Sequence, residues 1–474
     1  MNRSSRGICV IYSGRDTCAV RVFSRFALVL AGLALLICLS TPTAHATASF
    51  SRQTGLSCNK CHTTFPELTP FGREFKLNGY TLSANQDLKE KGDKSQSGLD
   101  LSKWLPLSIN LRGAYTETGN RQPGTRNSNL EVPAQLNFFY AGKIAEHIGS
   151  YTQMTYNVEA NHFGFDNSDF FRYARQTKAG GKDLSWGIDA NNNPTFEDLW
   201  NSTPAYGFPW ASADAVVSPV AATMIDGTLG GDVLGLGGYA MWDHHLYGDV
   251  ALYRTQHIGG SQPANGIGYS HNIKDGAPYW RFAWQQTTGR NYLELGTYGI
   301  FVKSFPGTYS TTTPAISGPT DSFTDTAVDL SYERKLRKAD LLVVHSTFIY
   351  EKQDLDASFR EGGAIRPDHN LQTFRLDAGY HLGTRYTFTA GPFITTGTAD
   401  SLLYPTAAVT GSANHSPKND GYMTQFAYWP MQNIELGLQY RGYVTFNGAG
   451  HNYDGSGRNA SGDNTAYAFI WFSF

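Results

Sequence analysis

From Leu107 onward the chain alternates apolar and polar residues with a period of two, the side-chain period of a β-strand. In Leu107-Ser108-Ile109-Asn110-Leu111-Arg112 one face is apolar and the other polar. The pattern returns in Val132–Phe138, Trp280–Gln285 and Ile434–Arg441. The polar face carries Arg112, Arg281, Asp329, Arg375, Asp377, Glu435 and Arg441. A soluble sandwich or propeller would have to bury these charges in a packed core, at prohibitive cost. A membrane barrel inverts the requirement: its apolar face meets lipid and its polar face lines a lumen.

Strand centres are predicted near residues 111, 137, 154, 173, 187, 237, 251, 282, 297, 329, 345, 375, 390, 425, 439 and 469. Sixteen is an even count of porin size. Tight turns are expected at Lys143–His147, Lys178–Lys182 and Arg334–Lys338. Long Gly-, Pro-, Ser- and Thr-rich loops are expected at 193–222, 257–277, 303–322 and 396–419. Short turns at one end and long loops at the other mark a bacterial outer-membrane barrel, with the short turns periplasmic. The aromatic segment Ala466–Phe474 suits a closing strand. With 14% aromatics and 50 glycines, the expected fold is mainly β: an antiparallel transmembrane β-barrel of about 16 strands over residues 106–474, with a wet lumen. A small N-terminal module of helices and irregular chain plugs or caps that lumen.

Residues 1–46 read as an export signal. Arg3, Arg6, Arg15, Arg21 and Arg25 precede the apolar run Phe26–Leu39, and Ala44-His45-Ala46 forms a small-residue cleavage pattern. The run is shorter than the ~20 residues that span a bilayer as a helix. Cleavage removes five Arg and one Asp with Cys9, Cys18 and Cys38, leaving 33 basic and 39 acidic residues, a net charge of −6. That balance argues against a nucleic-acid partner. Only Cys58 and Cys61 remain, so no cysteine is left for a structural disulfide.

Both cysteines lie in Cys58-Asn59-Lys60-Cys61-His62, the C-x-x-C-H pattern of c-type haem attachment. Two thiols add to the haem vinyl groups, and the adjacent imidazole is placed as the proximal iron ligand. A zinc site needs about four ligands, and no second cysteine pair exists. A dithiol redox site does not call for the following His. The expected cofactor is one covalent haem c held by Cys58, Cys61 and His62.

The module spans residues 47–84. Thr69 as N-cap, Pro70 at the first helical position and Gly79 past the end predict a helix between them. Phe71 and Phe75 share a face, which packs on the haem or on other protein. Arg73 and Lys76 could pair with haem propionates, although solvated charges are the ordinary expectation. Residues 85–105, rich in Asp, Glu and Lys up to residue 100, form a polar linker.

Phe50-Ser51-Arg52-Gln53-Thr54-Gly55, the haem motif, Phe65-Pro66-Glu67-Leu68, Phe71–Lys76 and Gly79-Tyr80 together resemble the N-terminus of the outer-membrane monohaem cytochrome–porin fusions, whose best-known members are bacterial iron oxidases. A weaker echo runs through Asn192-Asn193-Pro194-Thr195 and Trp200-Asn201-Ser202-Thr203-Pro204. One departure is Ala48, where Pro is expected. The resemblance implies a cytochrome fused to a porin that carries electrons across the outer membrane, with Fe(II) as donor less firmly implied.

Six-coordinate c haems take Met or a second His on the distal side. Between residues 47 and 100 there is no Met, and no His besides His62. Either the barrel supplies the sixth ligand, the iron is five-coordinate, or another group binds. His345 is expected to point into the lumen while Leu342, Val344 and Phe348 face lipid. His381 ends the inward series Arg375, Asp377, Gly379. These two are the candidate distal ligands.

The expected function is electron transfer from extracellular Fe(II) to a periplasmic carrier cytochrome, with outer-membrane lipid as the surrounding partner. An outward-facing oxidant keeps insoluble ferric product outside. Lumen carboxylates such as Asp329 and Glu435 could attract Fe²⁺, although solvated pore lining is the ordinary expectation. A porin-like channel with a structural or sensory haem, and electron export to an extracellular acceptor, are the alternatives. No hydrolase, Walker A, zincin or dinucleotide motif occurs in a matching context, and no catalytic residue is assigned.

Overall fold

The computed structural model describes residues 49–82, 87–89, 100–102, 105–158, 161–214, 216–256, 271–306, 317–337 and 339–474. The export signal over residues 1–46 lies outside them. Sixteen antiparallel strands close into a barrel. They are β1 (Leu107–Thr118), β2 (Asn129–Ala145), β3 (Ile148–Asn157), β4 (Asp169–Ala179), β5 (Lys182–Asn191), β6 (Val233–Trp242), β7 (Leu246–Thr255) and β8 (Ala277–Thr288). The second half comprises β9 (Asn291–Phe305), β10 (Asp321–Lys335), β11 (Leu341–Asp354), β12 (Asp368–Leu382), β13 (Tyr386–Gly397), β14 (Asn419–Met431), β15 (Ile434–Thr445) and β16 (Thr465–Ser473). Short segments at His162–Phe165 and Asn272–Ile273 add to the wall. Each predicted strand centre falls inside one of the sixteen strands. β16 pairs with β1 from Thr465↔Thr118 to Ser473↔Asn110 and closes the ring, so among the described residues the barrel sheet has no open edge.

Every strand connection at one end is short, as in the two-glycine turn Gly180-Gly181 (φ +60° and +79°) between β4 and β5. Positive φ at both central residues gives the turn whose twist matches the flanking strands. The connections at the other end are longer, reaching residues 192–232 between β5 and β6. Outward positions expose Leu236, Val250, Leu252, Phe282, Val328, Phe348 and Phe388. In water such a coat would forfeit roughly 1.5–3 kcal/mol per side chain, whereas lipid satisfies it.

The inward face is as the alternation predicts. Arg112, Arg281, Asp329, Asp377 and Glu435 are buried within the barrel, Arg375 pairs with Asp226, and Arg441 lines an internal cavity. A second segment joins the module in the lumen. The loop 192–232 folds into it, burying Phe196, Leu199 and Trp200 almost completely. The N-terminal module fills the short-turn end.

That module contains α1 (Ser49–Thr54), α2 (Cys58–Cys61) and α3 (Pro70–Leu77). In α3 the Thr69 hydroxyl accepts from Gly72 N at 3.2 Å, and Pro70 begins the helix. The helix ends in a Schellman motif: Tyr80 N donates to Phe75 O and Gly79 N to Lys76 O. Gly79 has φ +66°, and a Cβ there would meet Arg172 O at 2.8 Å, so both backbone conformation and wall contact call for glycine. Within the expected linker, Asp87–Lys89 and Asp100–Ser102 form a small antiparallel pair.

Candidate functional site

One helical turn, α2, carries both cysteines, three residues apart and so on one face. His62 leaves that turn in extended conformation, its N–H bonded to Cys58 O at 2.9 Å. The His62 ring is oriented by its own loop: Nδ1 lies 3.2 Å from Pro66 O. A carbonyl only accepts, so Nδ1 carries the proton and Nε2 keeps its lone pair. Burial, partly offset by the Pro66 and Glu67 backbone, pushes the imidazole below its ordinary value and favours this neutral form.

Helix α3 is locked to the motif. Thr69 N donates to Cys61 O at 2.9 Å and Thr69 Oγ1 to Lys60 O at 2.6 Å. Gly72 sits directly against this junction, where a Cβ would lie 3.0 Å from the Cys61 carbonyl carbon. Cys58, Cys61 and His62 all border one cleft. Its other walls are largely apolar and aromatic: Phe50, Phe65, Leu68, Phe71, Phe75 and Tyr151. The Phe50 and Phe75 rings meet edge-on at 5.1 Å.

The donor set fits a thioether-linked haem better than its competitors. Burial raises the Cys58 thiol, and burial, with Cys58 adding to it, pushes Cys61 up to about 11. A reactive dithiol needs the opposite shift. Neither cysteine nor His62 belongs to a metal-ligand cluster of three or more among the described residues, which leaves a four-ligand zinc site without its partners.

His345 and His381 face the lumen and are both 3% exposed. Neither lines the cleft. His345 Nδ1 lies 3.1 Å from Asp377 Oδ2, and His381 Nε2 lies 3.5 Å from Glu67 Oε1. The expected face of Phe71 and Phe75 does line the cleft. The expectation that Arg73 and Lys76 are solvated is corrected: they are 6% and 4% exposed. Arg73 pairs with Glu333 on β10, and the Lys76 ammonium donates to the carbonyls of Phe196 and Asp198. Both charges are used to dock the module. Asp329 is likewise no solvated pore lining, since it pairs with Arg281 at 2.8 Å. Glu435 is also buried.

The inward loop completes the enclosure. Asn201 Oδ1 accepts from Leu68 N at 2.9 Å, and Asn201, with Tyr206, borders the cleft. Asp198 organises the loop by accepting from Trp200 N, Ser202 N and Thr203 N at 2.9–3.0 Å while facing Arg281. Burial opposes its charge, but Arg281 and these amides hold its carboxyl below the usual range. In the sequence the Asn192–Thr195 and Trp200–Pro204 segments stand out only as an echo; Asn201 of the second seats the plug, while Asn192 and Asn193 of the first fasten the loop to Asp166, Asn167 and Ser168. Tyr151 and Tyr206 carried no sequence signal, because an inward tyrosine in a strand or loop reads like any lumen residue.

A closed, lipid-coated barrel with short turns at one end defines an outer-membrane β-barrel protein, and this one has its lumen filled from the short-turn end. No protein-family model matches the sequence, and no curated protein matches it. Solved structures similar to it include Salmonella typhi OmpF in complex with daunomycin (12% identity, 78% of this chain and 98% of that one, TM-score 0.44). Others are the outer-membrane channel DcaP of Acinetobacter baumannii (12%, 82% and 100%, 0.42) and an anion-selective porin from Comamonas acidovorans (12%, 78% and 98%, 0.42).

Proposed function

We propose that Cys58 and Cys61 hold one haem c as thioethers, with His62 Nε2 as proximal ligand, and that the protein passes electrons across the outer membrane. The observation that carries this is the meeting of both thiols and an Nε2-presenting imidazole on one apolar cleft inside a plugged barrel. When bound, the haem supplies a one-electron couple. Pro66 O fixes the His62 tautomer and ring orientation. Phe50, Phe71 and Phe75 exclude water, and Asn201 and Lys76 fasten the module to the inward loop.

Fe(II) outside is the proposed donor and a soluble periplasmic cytochrome the acceptor. A second cavity of about 410 Å³ runs from His62, Phe65 and Pro66 to Asp166 and Asp214. Its carboxylates suit a small cationic donor approaching from the loop end. At the other end, Cys58 N bonds Gln432 in the short β14–β15 turn at 3.1 Å, which brings the motif to the periplasmic face. An anaerobic redox titration of holoprotein, followed by mixing with Fe(II), tests the proposal. Reduction of the haem bands supports it. Solute conductance with no response of the haem to Fe(II) favours the channel alternative and sinks the electron-transfer one.

A further inference from the structure

Glu435 stands on the inward face of β15 and is 2% exposed. Its Oε2 finds no donor among the described residues. Two neighbouring indole N–H groups share this condition: Nε1 of Trp429 and Nε1 of Trp471 are buried without an acceptor. Trp471 on β16 is the register partner of Glu435. The β14–β15 ladder shifts between Tyr428 and Met431, which sets Trp429 and Pro430 opposite Glu435. Phe65 of the plug packs on both indoles, its ring 5.7 Å from that of Trp429 and 6.4 Å from that of Trp471. The same ring lies 4.9 Å from the imidazole of His62.

The charged groups around this corner are engaged elsewhere. Arg112, across from Trp471 on β1, turns to Asp214 at 3.6 Å. Glu67 of the plug and His381 on β12 meet each other, and His345 on β11 is held by Asp377. Arg441 on the same strand bonds Tyr443, and Arg385 in the β12–β13 turn is exposed. None of these groups acts on Glu435. An unpaired carboxylate in an enclosed, aromatic corner is costly, and either a proton or a new positive charge close by removes that cost.

We propose that Glu435 links proton transfer to electron transfer, giving up a proton when the cleft's haem is oxidised and taking one back on reduction. The inference rests on the haem reading. Oxidation adds one positive charge at the iron, which favours the carboxylate; the electron leaves to the periplasmic cytochrome and the proton to water in the adjoining cavities. Trp471 lines the cavity that reaches Asp166 and Asp214, and Trp429 lines a smaller one of about 180 Å³ that reaches Arg385 and Gln432. The side chains between Glu435 and His62 are aromatic, so the two charges are weakly screened from each other.

The test is a spectroelectrochemical titration of the holoprotein in detergent, repeated from mildly acid to mildly alkaline pH. The reduction potential of the parent protein should fall as pH rises, by up to about 59 mV per pH unit, the one-electron equivalent of a tenfold change in proton activity. Glu435→Gln has the same shape and no hydrogen bond to lose, and should flatten the slope. Glu435→Asp keeps a titrating carboxyl and should retain it. Covalent haem is scored first by staining on a denaturing gel. Haem present with a pH-independent parent potential, or with the same slope in Glu435→Gln, overturns the coupling and leaves the haem reading standing. Absence of covalent haem overturns both.

Discussion

Glu67 of the plug and His381 of the wall meet with Oε1 and Nε2 3.5 Å apart, their side chains 5% and 4% exposed. Burial opposes ionisation of Glu67, but His381, then His345 and the Thr63 hydroxyl, hold its carboxyl down to about 2. A carboxyl depressed on folding contributes stability in full above its unfolded value, near 4.5, and loses it as pH falls toward 2. The shift is worth on the order of 3 kcal/mol. Hydrogen exchange of residues 58–80 should therefore accelerate on acidification through this window. Glu67→Gln should flatten that acid limb; an unchanged limb would rule the pair out as its cause.

Gly72→Ala should loosen α3 from the Cys58–His62 turn, since the added Cβ runs into the Cys61 carbonyl. Overpacking of this kind costs about 1–3 kcal/mol. Exchange in α3 should speed up roughly five- to a hundredfold, the Boltzmann equivalent. Gly55→Ala is the control: nothing lies within 4 Å of its Cβ, though its φ is +70°, so only the left-handed backbone penalty of about 1–2 kcal/mol applies.

If the cleft holds haem as proposed, Cys58→Ala and Cys61→Ala together should abolish haem staining on a denaturing gel. His345→Ala and His381→Ala should leave the absorption spectrum unchanged, because both residues are engaged with carboxylates away from the cleft. A spectral change in either variant would restore that residue as a distal ligand.

Arg281→Ala should be among the most damaging changes in the wall. Its guanidinium faces Asp198, Glu294 and Asp329 at 3.2, 3.4 and 2.8 Å. Removing one partner of a buried ion cluster costs about 3–5 kcal/mol. The urea midpoint of the detergent-folded barrel reads this out. Arg281→Lys should recover only part of the loss, since one ammonium cannot reproduce the planar fork.

The wall was legible because lipid outside and charge inside impose period two on every strand; Arg281 and Phe282 face opposite ways for that reason alone. The α3 helix was legible through Thr69, Pro70 and Gly79, whose roles are local. What could not be read is the filling of the lumen. Lys76 looks solvated in sequence because its carbonyl partners, Phe196 and Asp198, are 120 and 122 residues away. The same holds for Asp198, whose meeting with Arg281 across the barrel has no local trace. His345 and His381 were correctly turned inward, but direction alone says nothing about which side of the plug they meet.

The plug is tied around its circumference: Gln53 to Ala141 on β2, Leu77 to Tyr239 on β6, Arg73 to Glu333 on β10, Glu67 to His381 on β12, and Cys58 to the β14–β15 turn. A body moored at one edge can swing as a hatch, but one moored on all sides can leave only by shedding its moorings together. Pulling on the N-terminus with a force probe should therefore give a single large rupture, with no series of small ones. The barrel holds its plug as a collar holds a stopper, by grip spread around the whole rim at the short-turn end.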